Sequence, residues 1–266
     1  MTAPRHVVSR DNALLQRVRK LTRTPAAYRK QGSVWLEGEH LCSALLARGR
    51  LVPQSITSES AWAQPHLQAL ARAAREVVLV PDALFAGLSG LDHPAQAGIG
   101  FVLDAPGGQT LQPDLPSVVL DRVQDAGNVG SILRSASALG FAQVLALEGS
   151  AALWSPKVLR AGMGAHFGLR LVEGLEAGDL EGLAVPLLAA SAHAGDSLGA
   201  AQLAWPCAWI FGHEGQGIAP ELMARCAHVL RIPQPGGEES LNVAAAAAIC
   251  LYESSRGRHP DLRAIA

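Results

Sequence analysis

The sequence predicts an α/β protein in which a C-terminal domain with a mostly parallel sheet follows a smaller α/β domain. Three observations lead to this fold class. Short apolar stretches typical of strands alternate with stretches of helical periodicity along the 266 residues. The stretch 104–116 has three prolines, two glycines and no periodicity, as a linker does. In the C-terminal part, the strand candidates are near-continuous apolar runs, which are typical of parallel strands buried on both faces.

The first domain is predicted to span residues 1–106, followed by a linker at 107–116 and a second domain at 117–266. With 49% hydrophobic and 17% charged residues, the chain can bury a core in each domain. In the first domain, strand-like and helical stretches alternate, and the strand-like ones are "SVWLEG" (33–38), "LVPQSIT" (51–57), "EVVLV" (76–80) and "GIGFVL" (98–103). This alternation is the basis for assigning an α/β fold to the first domain as well.

Positive charge is concentrated at the N-terminal end, although the whole chain has a formal net charge of -1. In residues 1–30, eight basic residues against Asp11 alone give +7. The basic residues are Arg5, Arg10, Arg17, Arg19, Lys20, Arg23, Arg29 and Lys30. A solvated helical arm and an element that contacts phosphates explain this pattern equally well, because phosphate neutralisation drives binding to nucleic acids without sequence preference.

In the second domain, three predicted strands end in unusual loops. The strands are "SVVLD" (117–121), "CAWIFG" (207–212) and "HVLRIP" (228–233). Ligands of parallel α/β sheets bind outside the carboxyl ends of the strands, so we expect the chemistry in these three loops.

Each loop also has an ordinary interpretation. In the first loop, Asn128 and Gly130 are interpreted as a turn before a helix that carries Arg134, a place where an anion could bind; an Asn N-cap is the alternative. In the second, three glycines around Glu214 indicate either close approach of a ligand or a tight turn. In the third, "IPQPGGEESLN" predicts a rigid loop before a helix N-cap.

Several other classes lack their signatures. The four cysteines, Cys42, Cys207, Cys226 and Cys250, are far apart and have no histidine at metal-ligand spacing, so we expect reduced thiols and no metal site. No apolar run is long enough to span a membrane and the N-terminus has no signal core, which predicts a cytoplasmic protein. The dinucleotide, P-loop and serine-hydrolase motifs are missing.

Taken together and in this order, "NVGSILR", "FGHEGQGI" and "IPQPGGEESLNVAAAAAICLYE" resemble the three motifs of the SpoU (TrmH-like) branch of the SPOUT RNA methyltransferases. The resemblance implies methyl transfer from S-adenosylmethionine to a ribose 2′-hydroxyl of RNA, a C-terminal trefoil knot that forms the cofactor pocket, and a homodimer. The first domain resembles a ribosomal-protein-like RNA-binding domain, which favours rRNA over tRNA. The five alanines of 244–248 would then allow close packing of the knotted chain, in addition to their high helix propensity.

The resemblance also assigns residues. The cofactor-binding positions are Gly212, Ile232, Leu241 and Glu214, and the catalytic positions are Arg134, Asn128, Ser240 and Asn242. A guanidinium stays protonated, so we interpret Arg134 as orienting a phosphate and stabilising alkoxide charge rather than as a general base. Deprotonation would be assisted by that phosphate or by a neighbouring group such as Ser240 or Asn242.

Glu214 is interpreted first as structural, bonding N–H groups of its own glycine loop or of a partner subunit. A direct catalytic part is the alternative. The sequence departs from the family pattern at His213, where asparagine is usual, and at Gln234, Ala244 and Ala126.

Two other functions remain open at this stage. One is a non-catalytic RNA-binding or ribosome-assembly protein that retains the fold. The other is a Rossmann-like enzyme of small-molecule metabolism, which the missing fingerprint and the basic N-terminal end both disfavour.

Overall fold

The computed structural model describes residues 3–90, 98–192, 194–237 and 239–256. The chain forms two compact units, one of Met1–Gly107 with Trp154–Phe167 and one of Gly108–Leu153 with Gly168–Ala266. The predicted α/β class is confirmed, and so is the mostly parallel sheet of the C-terminal part. The predicted end of the second domain, 257–266, lies outside the described residues.

The first unit contains a five-stranded mixed sheet with the order β1-β4-β3-β5-β2. Its strands are β1 (Arg5–His6), β2 (Ser33–Glu37), β3 (Val52–Ser58), β4 (Ala74–Val80) and β5 (Ile99–Asp104). Strand β4 is parallel to β1 and β3, whereas β5 is antiparallel to β2 and β3. Gly100 on β5 lies against the indole ring of Trp35, since a Cβ atom there would lie 2.1 Å from Cη2 of Trp35. Close packing in the core therefore requires glycine at this position.

Helices surround this sheet. They are α1 (Ala13–Arg23), α2 (Ala27–Gln31), α3 (Glu39–Ala47), α4 (Glu59–Trp62), α5 (Pro65–Ala71), α6 (Asp82–Ala86) and α8 (Pro156–Gly162). Helix α1 begins after Asn12, whose side chain accepts a hydrogen bond from the N–H of Leu14. Leu14, Val18 and Leu21 follow the spacing of one helix face and are buried, which leaves the basic side chains of α1 on its other faces.

The second unit contains a seven-stranded sheet with the order β10-β12-β9-β11-β6-β7-β8, in which every pair is parallel. Its strands are β6 (Ser117–Asp121), β7 (Gln143–Leu147), β8 (Arg170–Leu175), β9 (Leu187–Ala190), β10 (Asp196–Ser197), β11 (Ala208–Gly212) and β12 (His228–Arg231). The side chains of β6, β7 and β11 are almost entirely buried, as the continuous apolar runs predicted.

Three α-helices accompany this sheet: α7 (Ala126–Ala138), α9 (Pro220–Met223) and α10 (Val243–Ser255). The alanine-rich helix α10 packs against α7 and β11. Ala247 and Leu251 on it are fully buried, and its Ser254 Oγ accepts a hydrogen bond of 2.8 Å from the indole Nε1 of the buried Trp209. Small side chains on α10 therefore face a packed interior, and alanine propensity is only part of the reason for them.

The structure differs from the sequence prediction at several places. Strand β8 was not predicted, because its sequence "RLVEGL" was treated as a connection between motifs. Helix α9 is one turn long, shorter than the predicted "PELMARC". The segment Trp154–Phe167, predicted to lie in the second domain, belongs to the first unit.

The predicted linker is not a free tether over its whole length. Gln112 and Gln143 exchange two hydrogen bonds, one from the Gln112 N–H to Oε1 at 3.1 Å and one from Nε2 to the Gln112 carbonyl at 2.7 Å. Gln109 Oε1 accepts from the N–H of Leu171 on β8 at 2.9 Å. These bonds attach residues 109–112 to the sheet of the second unit.

Candidate active site

The candidate site lies at the carboxyl edge of the parallel sheet in the second unit. Strands β6 and β11 are neighbours, and their last residues, Asp121 and Gly212, lie opposite each other in register. The loop after β6 (122–125) and the loop after β11 (213–219) therefore start side by side. The loop after β12 leads to α10, which packs on α7, so the third predicted loop reaches the same region.

The first loop ends in a helix cap that corrects the sequence interpretation. The Oδ1 atom of Asp125 accepts a hydrogen bond of 2.8 Å from the N–H of Asn128, and α7 begins at Ala126. Asn128 and Gly130 thus lie inside the helix, and the prediction of a turn before it was wrong, as was the alternative of an Asn128 N-cap. Asp125 was overlooked because two residue types suited to capping stand three positions apart, and only one can cap.

The Glu214 carboxylate connects the second loop to the first. It accepts hydrogen bonds from the N–H groups of Gln124 at 3.3 Å and Asp125 at 3.2 Å, and from Asn128 Nδ2 at 3.1 Å. Partial burial acts to raise the pKa of Glu214, but these bonds, together with one from its own backbone N–H group, outweigh it and lower the pKa below the ordinary value. Glu214 therefore stays ionised and binds the neighbouring loop as well as its own backbone N–H group, the second of which the sequence interpretation expected.

Asn128 and Asn242 extend this network to the third loop. Asn242 Nδ2 donates a hydrogen bond of 2.9 Å to Asn128 Oδ1, while Asn242 Oδ1 accepts from the N–H groups of Ala244 and Ala245 as the N-cap of α10. Asn128 bridges Glu214 and Asn242, so one chain of hydrogen bonds joins all three predicted loops. The expectation that these loops converge agrees with this arrangement.

His213 holds the turn that carries Glu214. Its Nδ1 atom accepts hydrogen bonds from the N–H groups of Gly215 at 2.9 Å and Gln216 at 3.2 Å. An asparagine side chain forms the same type of local turn with its oxygen, so histidine can serve at a position where the resemblance implies asparagine. The ring must present an unprotonated Nδ1 to do so.

Gly212 is required by the path of the backbone. A Cβ atom at this position would lie 2.3 Å from the carbonyl carbon of Gly217 and 2.3 Å from the nitrogen of Ile218. The start and the end of the second loop therefore touch through Gly212. This contact accounts for the glycine whether or not a ligand also approaches it.

Arg134 and Ser240 stand apart from the hydrogen-bond network. Arg134 lies on the exposed face of α7 together with Gly127, Ser131 and Ala138. Within the described ranges, the side chains of Arg134 and Ser240 make no hydrogen bond or ion pair, so a cationic guanidinium and a hydroxyl remain available to a ligand. The structure thus brings Asn128, Glu214 and Asn242 together and leaves these two side chains at the surface.

The loop after β12 has features that suit S-adenosylmethionine. Its Gln234 Oε1 is buried and has no hydrogen-bond partner among the residues that the structure describes, an arrangement that costs free energy until a donor arrives. The side chain of Leu241 is 38% exposed, and Ile232 is partly exposed. A buried acceptor and apolar side chains are the groups that a nucleoside with amino donors and an aromatic base can use.

Two cysteine thiols of the second unit have raised pKa values. Burial raises the pKa of Cys250 to about 12 and that of Cys226 to about 11, so both are protonated at neutral pH. Across the parts of the chain that the structure describes, no group of three or more His, Cys, Asp or Glu side chains has an arrangement for a metal ion. Over the same parts, none of the helices has the length and apolar character of a membrane span.

Fold and site together define an α/β protein whose candidate functional residues lie in three loops and at the start of α7, at the carboxyl edge of a parallel sheet. The family model described as "SpoU rRNA Methylase family" matches residues 116–252. The chain belongs to this family. The predicted family, the SPOUT methyltransferase fold and the class of enzyme, an RNA methyltransferase, are therefore confirmed.

Individual relatives match over most of the chain. An uncharacterized tRNA/rRNA methyltransferase of Synechocystis is 30% identical over 94% of this chain and 93% of its own length. The 23S rRNA (guanosine-2′-O-)-methyltransferase RlmB of Bordetella pertussis is 32% identical over 81% of this chain and 95% of its own. Among solved structures, the SpoU methyltransferase AviRb of Streptomyces viridochromogenes, in complex with AdoMet, superposes with a TM-score of 0.83 at 25% identity, covering 93% of this chain and 98% of AviRb.

Proposed function

We propose that this protein transfers a methyl group from S-adenosylmethionine to a ribose 2′-hydroxyl of rRNA, with tRNA as the alternative substrate. The observation that carries the proposal is the hydrogen-bonded chain from Glu214 through Asn128 to Asn242, which assembles all three family motifs at one edge of the sheet. The names of the relatives support rRNA, since RlmB of Bordetella pertussis is named for guanosine and a Streptomyces viridochromogenes relative for uridine of 23S rRNA.

The second and third loops would hold the cofactor. Gly212 permits the close approach of Gly217 and Ile218 that shapes the second loop, while Ile232 and Leu241 present apolar side chains and the buried Gln234 Oε1 offers an acceptor. Bound S-adenosylmethionine supplies an activated methyl group on a sulfonium, so the protein has to align the 2′-oxygen and ease the loss of its proton.

The side chains divide into those that contact RNA and those that position the loops. Arg134, exposed and permanently charged, orients the phosphate next to the target ribose and stabilises negative charge that develops on the 2′-oxygen. Ser240, two residues before Asn242, has an exposed hydroxyl that is proposed to contact the target ribose or its phosphate.

Asn128, Asn242 and Glu214 keep the loops in place. The amide groups of the two asparagines are already engaged with each other and with neighbouring groups, and the Glu214 carboxylate accepts from three donors. A carboxylate with a lowered pKa is a weak base, so Glu214 acts by positioning rather than by taking the 2′-hydroxyl proton.

The first unit provides the RNA-binding surface in this proposal. Lys20 and Arg23 on α1 and Lys30 on α2 are exposed, and Arg48 and Arg50 follow α3 with exposed side chains. Cations that project from short helices suit phosphate contacts without base readout. Binding would therefore weaken steeply with salt.

A second copy of the chain is the proposed partner at α10. Ala245, Ile249 and Tyr252 follow one face of this helix and are exposed, with Ile249 at 41% and Tyr252 at 44%. An exposed apolar stripe of this kind is typical of an interface. The protein is therefore proposed to be a homodimer. A trefoil knot formed by the C-terminal segment and a cytoplasmic location are also part of the proposal.

The test is transfer of radiolabelled methyl from S-adenosylmethionine to total RNA of cells that lack the gene, followed by separation of tRNA from rRNA and alkaline hydrolysis. A 2′-O-methyl group removes the nucleophile that alkali needs, so the label should remain in an uncleaved dinucleotide from rRNA. Arg134→Ala is the negative control. Label in single nucleotides would place the methyl on a base instead, and failure to bind S-adenosylmethionine would favour a non-catalytic RNA-binding protein.

A further inference from the structure

Arg122, the residue directly after strand β6, has an unusual backbone conformation. Its φ is 57°, in the left-handed region that non-glycine residues rarely adopt. In this conformation its guanidinium turns back onto the carboxylate of Asp121, with Nε 2.7 Å from Oδ1 and one Nη 2.9 Å from Oδ2. Asp121 is 2% exposed, and its Oδ2 also accepts a hydrogen bond of 2.7 Å from the N–H of Ala219.

The same guanidinium reaches the loop after β11. Its Nη1 donates to Gln216 Oε1 at 3.0 Å and its Nη2 donates to the Gly217 carbonyl at 3.4 Å. The Gly217 carbonyl also accepts from the N–H of His213, the bond that closes the turn carrying Glu214. Arg122 therefore binds Gln216 and Gly217 at the end of this turn. Glu214, at the tip of the same turn, binds the loop that contains Arg122.

The contacts between the two loops run in opposite directions. The first loop gives backbone donors, at Gln124 and Asp125, to the Glu214 carboxylate. The second loop gives acceptors, at Gln216 and Gly217, to the Arg122 guanidinium. Each loop thus holds the other by a charged side chain, and we name this arrangement the Arg122–Glu214 clasp.

The loop after β7 leaves room for the Arg122 side chain. Gly149, which follows β7, has a φ of 86°, and a Cβ atom there would lie 3.0 Å from Cγ of Arg122. The hydrogen bond of 2.9 Å from the Ala151 N–H to the Val123 carbonyl holds this loop beside residue 123. Space and backbone conformation are thus both arranged around the arginine.

We propose that Arg122 is a positioning residue for methyl transfer. It fixes the 213–217 turn, so that Glu214 and the rest of the loop after β11, one of the two loops proposed to hold the cofactor, are in place before ligands bind. This inference rests on the proposed function of the site. Asp121 retains the Ala219 N–H and the exposed Gln216 can turn to water without Arg122, so the loss should loosen the loops more than it destabilises the fold. Hydrogen bonding to Asp121 raises the pKa of Arg122, so the clasp keeps its positive charge at every working pH.

The experiment compares Arg122→Ala with Arg225→Ala in the full chain. Arg225 is a matched control, because it is an exposed arginine of the same unit that also donates to a backbone carbonyl, that of Ala177 at 2.6 Å. In Arg122→Ala we expect faster amide hydrogen exchange in peptides covering 122–128 and 213–219. The dissociation constant for S-adenosylmethionine should rise about tenfold while the melting temperature changes little.

A second measurement separates positioning from a general structural role. Gln216→Ala removes only the exposed acceptor of one Arg122 hydrogen bond. In the Arg122→Ala background this bond is already lost, so the double variant should have the same cofactor affinity as Arg122→Ala alone. We expect Arg122→Lys to restore only part of the affinity, because an ammonium cannot span Asp121, Gln216 and Gly217 together. The KM for S-adenosylmethionine should rise more than kcat falls.

The proposal is overturned if exchange and cofactor affinity in Arg122→Ala equal those of the wild type, or if Arg225→Ala reproduces its changes. Strictly additive effects of Arg122→Ala and Gln216→Ala would also contradict it. If the wild type does not bind S-adenosylmethionine, the proposed function fails on its own, while hydrogen exchange still decides whether Arg122 holds the turn.

Discussion

The loops after β11 and β12 differ in how completely the protein satisfies their polar groups. The polar groups of the loop after β11 are paired within the protein: His213 Nδ1 accepts two N–H groups of the same loop, while Glu214 and the closing residues bind the loop after β6 and the start of α7. The loop after β12 carries prolines at 233 and 235, and its Gln234 Oε1 is buried without a partner in the described part of the chain. One loop is ordered by the protein itself, whereas the other has stiff backbone and an acceptor that a ligand could use.

This difference suggests a division of labour at the site. Preorganised groups lower the cost of ordering when a ligand binds, and unpaired groups give it something specific to bind. Variants that remove a paired group from the loop after β11, or the unpaired acceptor from the loop after β12, should therefore separate loop positioning from ligand recognition.

The largest expected effect lies outside both loops, at Arg134 on the exposed face of α7. Arg134→Ala should lower kcat by about 10²–10³-fold, since it removes a cation that stabilises the developing oxyanion. Affinity for S-adenosylmethionine should stay unchanged, because no hydrogen bond or ion pair connects Arg134 to the loops among the residues described here. Arg134→Lys tests planarity: nearly full turnover in that variant would exclude a bidentate role. Single-turnover methylation and calorimetric binding measure the two quantities.

Glu214→Gln should weaken the loop after β11 and raise the dissociation constant for S-adenosylmethionine about tenfold, because an amide replaces a carboxylate that accepts from three donors. Equilibrium dialysis measures the constant, and Glu181→Gln, an exposed carboxylate of the same unit, is the control. Unchanged affinity together with lost methyl transfer would instead assign Glu214 a direct catalytic part.

Acid pH should have a related effect on stability. The pKa of Glu214 is lower in the folded protein than its ordinary value of 4.5, so its carboxylate stabilises the fold above about pH 4.5. That contribution is lost as the pH falls through the folded-state pKa. Melting temperatures measured between neutral and acid pH should therefore converge for wild type and Glu214→Gln at the acid end; a constant difference would contradict the assignment.

Gln234→Met should act in the opposite sense on the loop after β12. Removal of a buried oxygen without a partner is expected to raise the free energy of unfolding of the cofactor-free protein by about 1 kcal/mol. Added S-adenosylmethionine should reduce this gain, because a donor on the ligand would pair the oxygen in the wild type. Chemical denaturation with and without the cofactor measures both, and the exposed Gln202→Met should show no gain.

His213→Asn has the smallest expected effect, within about twofold in cofactor affinity, because the asparagine oxygen can accept the same N–H groups. His213→Ala removes the acceptor and should increase hydrogen exchange at Gly215 and Gln216. Equal exchange in the two variants would show that the Nδ1 bonds do not hold the turn.

Most of the second unit's sheet could be predicted from sequence, because strands buried on both faces leave a continuous apolar record in the chain. The same rule predicted that the loops after residues 121, 212 and 233 meet, since the ends of parallel strands share one edge. Strand β8 was missed because its apolar run is short: only Leu171 and Val172 are buried, and Glu173 and Gly174 follow them directly. The two-residue strands β1 and β10 are too short to leave a pattern.

The sequence by itself determined the fold class, the family and the three loops that carry polar residues, because each is written in local periodicity or in short motifs. Only the tertiary structure decided the partners. Glu214 bonds residues about 90 positions away, Arg122 binds the turn at 216–217, and Asp125 rather than Asn128 caps α7. A hydrogen bond forms only when donor and acceptor lie about 3 Å apart. Such pairings therefore depend on the strand register and backbone conformation of the folded chain. Local sequence records which groups are available, and the folded chain selects which of them meet.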